Sequence, residues 1–274
     1  MPELPEVETV VRALRKQLVG RRLTNPQVRK SDIIEGDRPA FLHATADARV
    51  ESVRRRGKWI LIDLAGGRTV LAHLRMTGRF AVVDNGTPRE KHDHLEWTLD
   101  DGPQRLRFND LRRFGRFRIV PTAQVEQHLQ SRGWGPEPLE ITVSEFHRRL
   151  SRGKRSVKAA LLDQNVVAGL GNIYADEILF AAGIDPRTKA GRIGTQRASR
   201  IHAAMIAILA NAIRACGTSL RNYVSIDGTL GEYTEQLRVF RKDGSPCPKC
   251  GRAIRRIKLA GRSTHFCTLC QRRT

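Results

Sequence analysis

The pattern that most restricts this chain lies near its end. Cys247-x2-Cys250 and Cys267-x2-Cys270 are separated by sixteen residues, the spacing of a four-cysteine zinc site. Disulfides are the alternative, but the paired CxxC motifs, and an acidic, proline-bearing N-terminus unlike a secretory signal, favour zinc. Four thiolates leave no coordination position for water, so the metal is expected to fold the segment rather than catalyse. Cys216, the remaining cysteine, reads as a buried helix residue rather than a nucleophile. Between the pairs, Leu259 to Thr264 reads as a tight hairpin tip that holds Arg262 outward.

The same segment is basic. From Arg241 to Thr274 there are ten Lys or Arg and only Asp243 opposes them; the whole chain carries a net charge of +21, from 49 basic against 28 acidic residues. That excess is far beyond what solubility needs and points to a polyanion. A membrane surface would call for a basic amphipathic helix with aromatic anchors. Here the charge is spread along the chain and no apolar run approaches a membrane span. Nucleic acid is the favoured partner, with no membrane, and the cytoplasm the expected compartment.

At 274 residues the chain can hold more than one core. Val7, Val10, Val11, Leu14 and Leu18 mark one helical face, with Pro5 in the first turn and Gly20 as the C-terminal cap. Between about Arg49 and Val120 the pattern changes to short strands: one hairpin turns at Gly66-Gly67, a second at Asp101-Gly102, and Phe117 to Pro121 adds another strand. Strands at this spacing suggest a β-sandwich with the first helix packed on it. Gly133 to Pro138 is turn-rich and makes a domain boundary. Beyond it Thr142-x-x-Glu145 is a capping box, further helices fall at about 156–163, 173–182 and 196–215, and the turn at 165–172 joins two of them in a helix-turn-helix manner. The expected architecture is α+β and multidomain: residues 1–132 a helix on a β-sandwich, 133–139 a linker, 140–236 a helical domain and 237–274 a zinc finger.

The chain start has its own chemistry. If Met1 is removed, Pro2 carries a free secondary amine, of which roughly a tenth is neutral at pH 7, against well under a thousandth of a lysine. Such an amine forms imines readily, the positive helix end depresses its pKa further, and Glu3 can move protons beside it. A frayed terminus is the plain alternative. Two further readings stay open along the strands. Arg54 to Lys58 is either a charged edge or a phosphate-binding run delivering one lysine to a site. Met76 and Phe114, each near a glycine turn, are either core residues or wedges that enter between bases.

Taken together, Met1-Pro2-Glu3-Leu4-Pro5-Glu6-Val7-Glu8-Thr9, Asp110-Leu111-Arg112-Arg113-Phe114-Gly115, Gly171-Asn172-Ile173-Tyr174 and the four-cysteine finger closely resemble the bacterial formamidopyrimidine-DNA glycosylase and endonuclease VIII family, along the whole chain and in order. The resemblance implies a helix-two-turn-helix domain behind the β-sandwich, a monomer, and base excision from duplex DNA containing oxidised bases. It implies Pro2 as the nucleophile at C1′, Glu3 as general acid/base, Lys58 as a proton donor in strand cleavage and Arg262 as a phosphate grip linked with δ-elimination. Met76, Arg112 and Phe114 match the residues that fill the hole left by the flipped nucleotide. Asn172, His92, His73 and Lys158 match positions that hold phosphates or line the site. Lys154 is carried over with a departure, because Gly153 stands where the family often has a basic residue. Residues 218–233 correspond to the loop over the flipped base. Leu4, where the endonuclease VIII branch usually has glycine, favours oxidised purines over pyrimidines. A zinc-finger DNA-binding protein without activity is the rival of another class, and Pro2-Glu3 discriminates the two. An N-terminal-proline tautomerase would need neither the charge nor the finger.

Overall fold

A computed structural model describes residues 1–218 and 231–273. The chain divides into two compact units. One comprises Met1–Leu129 and includes the described residues 216–218 and Gly231; the other comprises Gln130–Ala215 and Glu232 onward.

The first unit opens with α1 (Leu4–Leu18). Its stripe of Val7, Val10, Val11, Leu14 and Leu18 is buried, as the periodicity requires. The helix is capped by Val19 in extended conformation, not by Gly20. Gly20, at φ +88°, instead turns the chain and donates its N–H to the Val50 carbonyl at 2.9 Å. There follow β1 (Arg22–Val28), α2 (Arg38–Thr45), β2 (Ala48–Arg56), β3 (Trp59–Leu64), β4 (Arg68–His73), β5 (Gly78–Asp84), β6 (Asp93–Leu99), β7 (Gln104–Asp110), β8 (Arg116–Pro121) and α3 (Val125–Ser131). Arg54, Arg55 and Arg56 therefore end β2, and Lys58 lies in the turn that follows.

The sandwich is built from one continuous antiparallel sheet in the order β5-β7-β6-β1-β2-β3-β4-β8. Its two halves are joined where β1 meets β2 through only two residue pairs, Arg22 with Arg49 and Leu23 with Ala48. The halves close face to face around Phe117. Its ring on β8, at one edge of the sheet, meets Phe80 on the opposite edge strand edge-on at 5.9 Å and Phe108 at 4.7 Å. Trp97 and Phe41 pack beside it. Aromatic side chains of this size carry much of a core's burial.

In the second unit the capping signals place the helices. Thr142 accepts the Glu145 N–H and Ser156 the Ala159 N–H, opening α4 (Val143–Leu150) and α5 (Val157–Leu162). The helix α6 (Asn172–Ala182) ends on Gly183 in the left-handed conformation, and α7 (Thr195–Arg214) packs against α4 and α6. β9 (Arg255–Leu259) and β10 (Arg262–Phe266) form the finger hairpin. Its turn, Ala260-Gly261, holds both residues at positive φ, so Arg262 stands exposed at the tip.

Candidate active site and nucleic-acid interface

The terminus is anchored. Pro2 and Glu3 are buried while Met1 is 49% exposed. Glu3 caps α1, and the Glu6 carboxylate accepts its backbone N–H at 2.9 Å. The other Glu6 oxygen accepts from the Thr218 N–H at 2.7 Å and hydroxyl at 3.0 Å. A Cβ on Gly217, at φ +77°, would lie 2.7 Å from that same oxygen, so the approach of residue 217 to Glu6 needs glycine. Glu6 thus ties the start of α1 to the segment entering residues 219–230. That stretch, and with it most of the loop expected at 218–233, lies outside the described residues.

Lys58 is placed by the same helix. Glu8 on α1 accepts from the Arg55 guanidinium at 3.0 Å, and Arg55 in turn donates to the Gly57 carbonyl at 3.2 Å. Gly57, at φ +59°, turns β2 into β3 and leaves Lys58 buried. Beside it, Trp59 pairs with His73 across β3 and β4, ring edge to ring face at 4.9 Å. His73 is buried, and its Nδ1 accepts the Arg75 backbone N–H at 3.0 Å, which leaves the proton of the neutral ring on Nε2.

Burial, with the charges of Arg75 and Lys58 added, presses the His73 pKa from 6.5 down to about 3. The unfolded chain therefore takes up a proton between those values that the folded chain does not. Stability is lost as pH falls below about 6.5, with a His73 contribution of up to about 1.4 kcal/mol per pH unit. His73→Gln should flatten the pH dependence of the urea midpoint between pH 6.5 and 5. Parallel wild-type and variant curves would contradict it.

A second cluster gathers around Asp110, the last residue of β7, which pairs with Gly78, the first of β5. Met76 projects from the turn before β5 and is 44% exposed; Phe114 projects from the turn after β7 and is 43% exposed. Neither is core. The Arg112 guanidinium stacks on the Phe114 ring at 4.6 Å. Leu111, 64% exposed on the same turn, was not singled out from the sequence; an apolar residue beside Asp110 and Arg112 was the only available signal. His92 is half-buried, and its carbonyl accepts the Asp110 N–H at 3.0 Å.

The second unit holds the remaining candidates. Asn172 opens α6 and its Nδ2 donates to the Ser263 carbonyl at 2.9 Å, fixing the helix start to the finger hairpin. Its Oδ1 is buried without a hydrogen-bond donor. Lys154 is exposed in the turn before α5. Lys158 requires a correction. It is buried, ion-paired with Asp176 at 2.7 Å, and donates to the Ser263 carbonyl at 2.8 Å and the Thr264 hydroxyl at 2.9 Å. With its N–H groups turned to these partners it ties α5 and α6 to β10 instead of presenting a charge to phosphate. Glu177, next along α6, accepts the backbone N–H groups of Arg238, Val239 and Phe240, each at 2.9 Å. Burial raises its pKa against these three bonds.

The four cysteine sulfurs lie within 4.8 Å of one another. Cys250 and Cys267 are 3.5 Å apart and Cys247 and Cys270 3.9 Å. A tetrahedron with Zn–S bonds of about 2.3 Å has edges of about 3.8 Å, so the thiolates fit one zinc ion. Four sulfurs would take all four coordination positions, which makes the site a structural one.

A sheltered Pro-Glu terminus and a basic, zinc-closed helical unit in one chain belong together in one class of protein, the helix-two-turn-helix DNA glycosylases. The profile of the formamidopyrimidine-DNA glycosylase N-terminal domain matches residues 1–117, that of its H2TH domain residues 134–224, and that of the zinc finger found in FPG and IleRS residues 244–273. The chain belongs to the formamidopyrimidine-DNA glycosylase family, which acts on damaged DNA. The formamidopyrimidine-DNA glycosylase of Desulforamulus reducens is 44% identical over 99% of both chains. That of Streptococcus thermophilus is 40% identical over 100% of both. Among solved structures, the complex between Lactococcus lactis Fpg and an abasic site containing DNA superposes with a TM-score of 0.92 at 33% identity, covering 99% of this chain and 100% of that one. MutM in complex with carbocyclic 8-oxo-G containing DNA gives 0.92 at 34% identity with the same coverage.

Proposed function

We propose that this protein removes oxidised purines, 8-oxoguanine and formamidopyrimidines, from duplex DNA and then cleaves the strand, acting as a monomer in the bacterial cytoplasm. The observation that carries the reading is the placement of Pro2 and Glu3, buried and fixed at the N-terminal end of α1. Once Met1 is removed, the Pro2 amine attacks C1′ of the damaged nucleotide and the base departs with a proton. The nitrogen, now bonded to C1′, forms an iminium when the sugar ring opens. Glu3 supplies and removes the protons of these steps. The iminium acidifies the neighbouring C2′, so loss of a proton there expels the 3′ phosphate, and a second elimination expels the 5′ phosphate. Lys58 is the proton donor in strand cleavage, and Arg262 at the finger tip grips phosphate at the lesion. Met76, Arg112 and Phe114 enter the hole left by the extruded nucleotide. His73, His92, Lys154 and Asn172 are assigned to the phosphates or the lining of the site.

Borohydride reduces an iminium to a stable amine, so the processed protein should be trapped covalently on a duplex containing 8-oxoguanine. Absence of an adduct, with strand cleavage still present, would rule out the imine route. Preference for an oxidised pyrimidine duplex under the same conditions would instead favour the endonuclease VIII type of substrate.

A further inference from the structure

The resemblance assigns tip residues to the two turns but says nothing of what joins them. Asp110 is fully buried, and its carboxylate is shared between the turns. Oδ1 accepts from the Thr77 hydroxyl and from the Arg112 N–H at 3.2 Å, and Oδ2 accepts from the Gly115 N–H at 2.7 Å. Thr77 completes a ring: its oxygen accepts the same Arg112 N–H at 3.1 Å while its proton goes to Asp110. The residue after Met76 is thereby bonded to the backbone of the residue that stacks on Phe114.

The backbone of Asp110 extends the junction. Its carbonyl accepts from Arg113 N–H at 3.1 Å and from His94 Nε2 at 2.9 Å, and its N–H reaches the His92 carbonyl. Beneath lies the Phe108 ring. A Cβ on Gly78 would come within 2.7 Å of that ring and one on Gly115 within 2.5 Å, so both turns rest directly on it.

We propose that Asp110 and Thr77 are positioning residues that make the Met76 turn and the Arg112–Phe114 turn one mechanical unit, so that the three tips enter a duplex together. The inference rests on the reading of those tips as wedges. An exposed methionine on the turn between β4 and β5 would otherwise sample many orientations, and ordering it during insertion costs side-chain and backbone entropy. Bonded through Thr77 to a turn that already carries a stacked Arg–Phe pair, it is ordered beforehand.

The test is a double-mutant cycle on Met76→Ala and Phe114→Ala, in the Thr77 background and in Thr77→Val, which keeps the β-branched shape and removes the hydroxyl. The readout is the excision rate on an 8-oxoguanine duplex divided by strand cleavage at an abasic site in single-stranded DNA, where no stack has to be opened. With Thr77 present the double variant should be no worse than the more damaging single one, giving non-additivity of at least about 10-fold, or 1.4 kcal/mol. In Thr77→Val the effects should become additive, and Thr77→Ser should restore the coupling. Asp110→Asn, read alongside, should lower the same ratio at an unchanged melting temperature. Additive effects with Thr77 present, or coupling that survives in Thr77→Val, would overturn the proposal. If neither Met76→Ala nor Phe114→Ala changes the duplex ratio at all, the wedge reading beneath it fails and takes the proposal with it.

Discussion

A chain that keeps Met1 is expected to lose base excision and borohydride trapping together, by at least about 10³-fold. Retention converts the Pro2 nitrogen from a secondary amine into a tertiary amide, whose lone pair is delocalised and unavailable for attack. The structure leaves little room for compensation, since Glu3 is fixed by Glu6 at the helix start. Pro2→Gly in processed protein is the milder comparison: a primary amine remains and can still form an imine, but the ring that fixes its direction is gone. Mass spectrometry of the N-terminus followed by single-turnover excision separates the cases. Full activity in protein shown to carry Met1 would remove Pro2 as the nucleophile.

Stripping the zinc should lower DNA affinity by about 100-fold or more while the first unit stays folded. The buried apolar cluster beneath the finger consists of Phe180, Val239, Cys247, Ile254 and Cys267. Two of those five are metal ligands, so the packing of this cluster depends on the metal site. Structural zinc contributes roughly 10–16 kcal/mol to such segments. Its loss also strands the groups that meet β10: Lys158, the Asn172 amide, and Asp176, which accepts the His265 N–H at 3.0 Å. On the proposed reading, Arg262 and the other basic residues of the segment would then no longer be held along the phosphates. Fluorescence anisotropy at one fixed salt concentration measures the affinity. The near-UV circular dichroism of the buried Trp59 and Trp97 reports on the first unit. Unchanged affinity in metal-free protein would take the finger out of the interface.

Features carried by neighbouring residues were legible in the sequence. The hairpins at Gly66-Gly67 and Asp101-Gly102 and the cap Thr142 each depend on a few adjacent side chains. The zinc site was equally plain because its ligands come in close pairs. Other parts were hidden for physical reasons. β1 contains Asn25-Pro26, with Asn25 at φ +47° and a register shift between Thr24 and Gln27, so its alternation is broken. β5 begins at the Met76 turn and alternates only weakly, with Val82 and Val83 both half-buried. Lys158 carries the charge expected of a phosphate contact, and only its burial against Asp176 shows otherwise. Thr77 and Asp110 stand 33 residues apart, and no local pattern announces that they are hydrogen-bonded.

The contact of Phe108 with Gly78 and Gly115 also bears on engineering. One ring fills the space of two missing side chains: any side chain at Gly115 would clash with it, and any at Gly78 would clash with it and with the Leu74 carbonyl, while a smaller residue at Phe108 would leave a cavity under both turns. Met76, Leu111 and Phe114 stand clear of that constraint, each at least 43% exposed. A library that randomises these tips and leaves the ring and its glycines untouched would vary the side chains that the two turns present while keeping the platform that carries them.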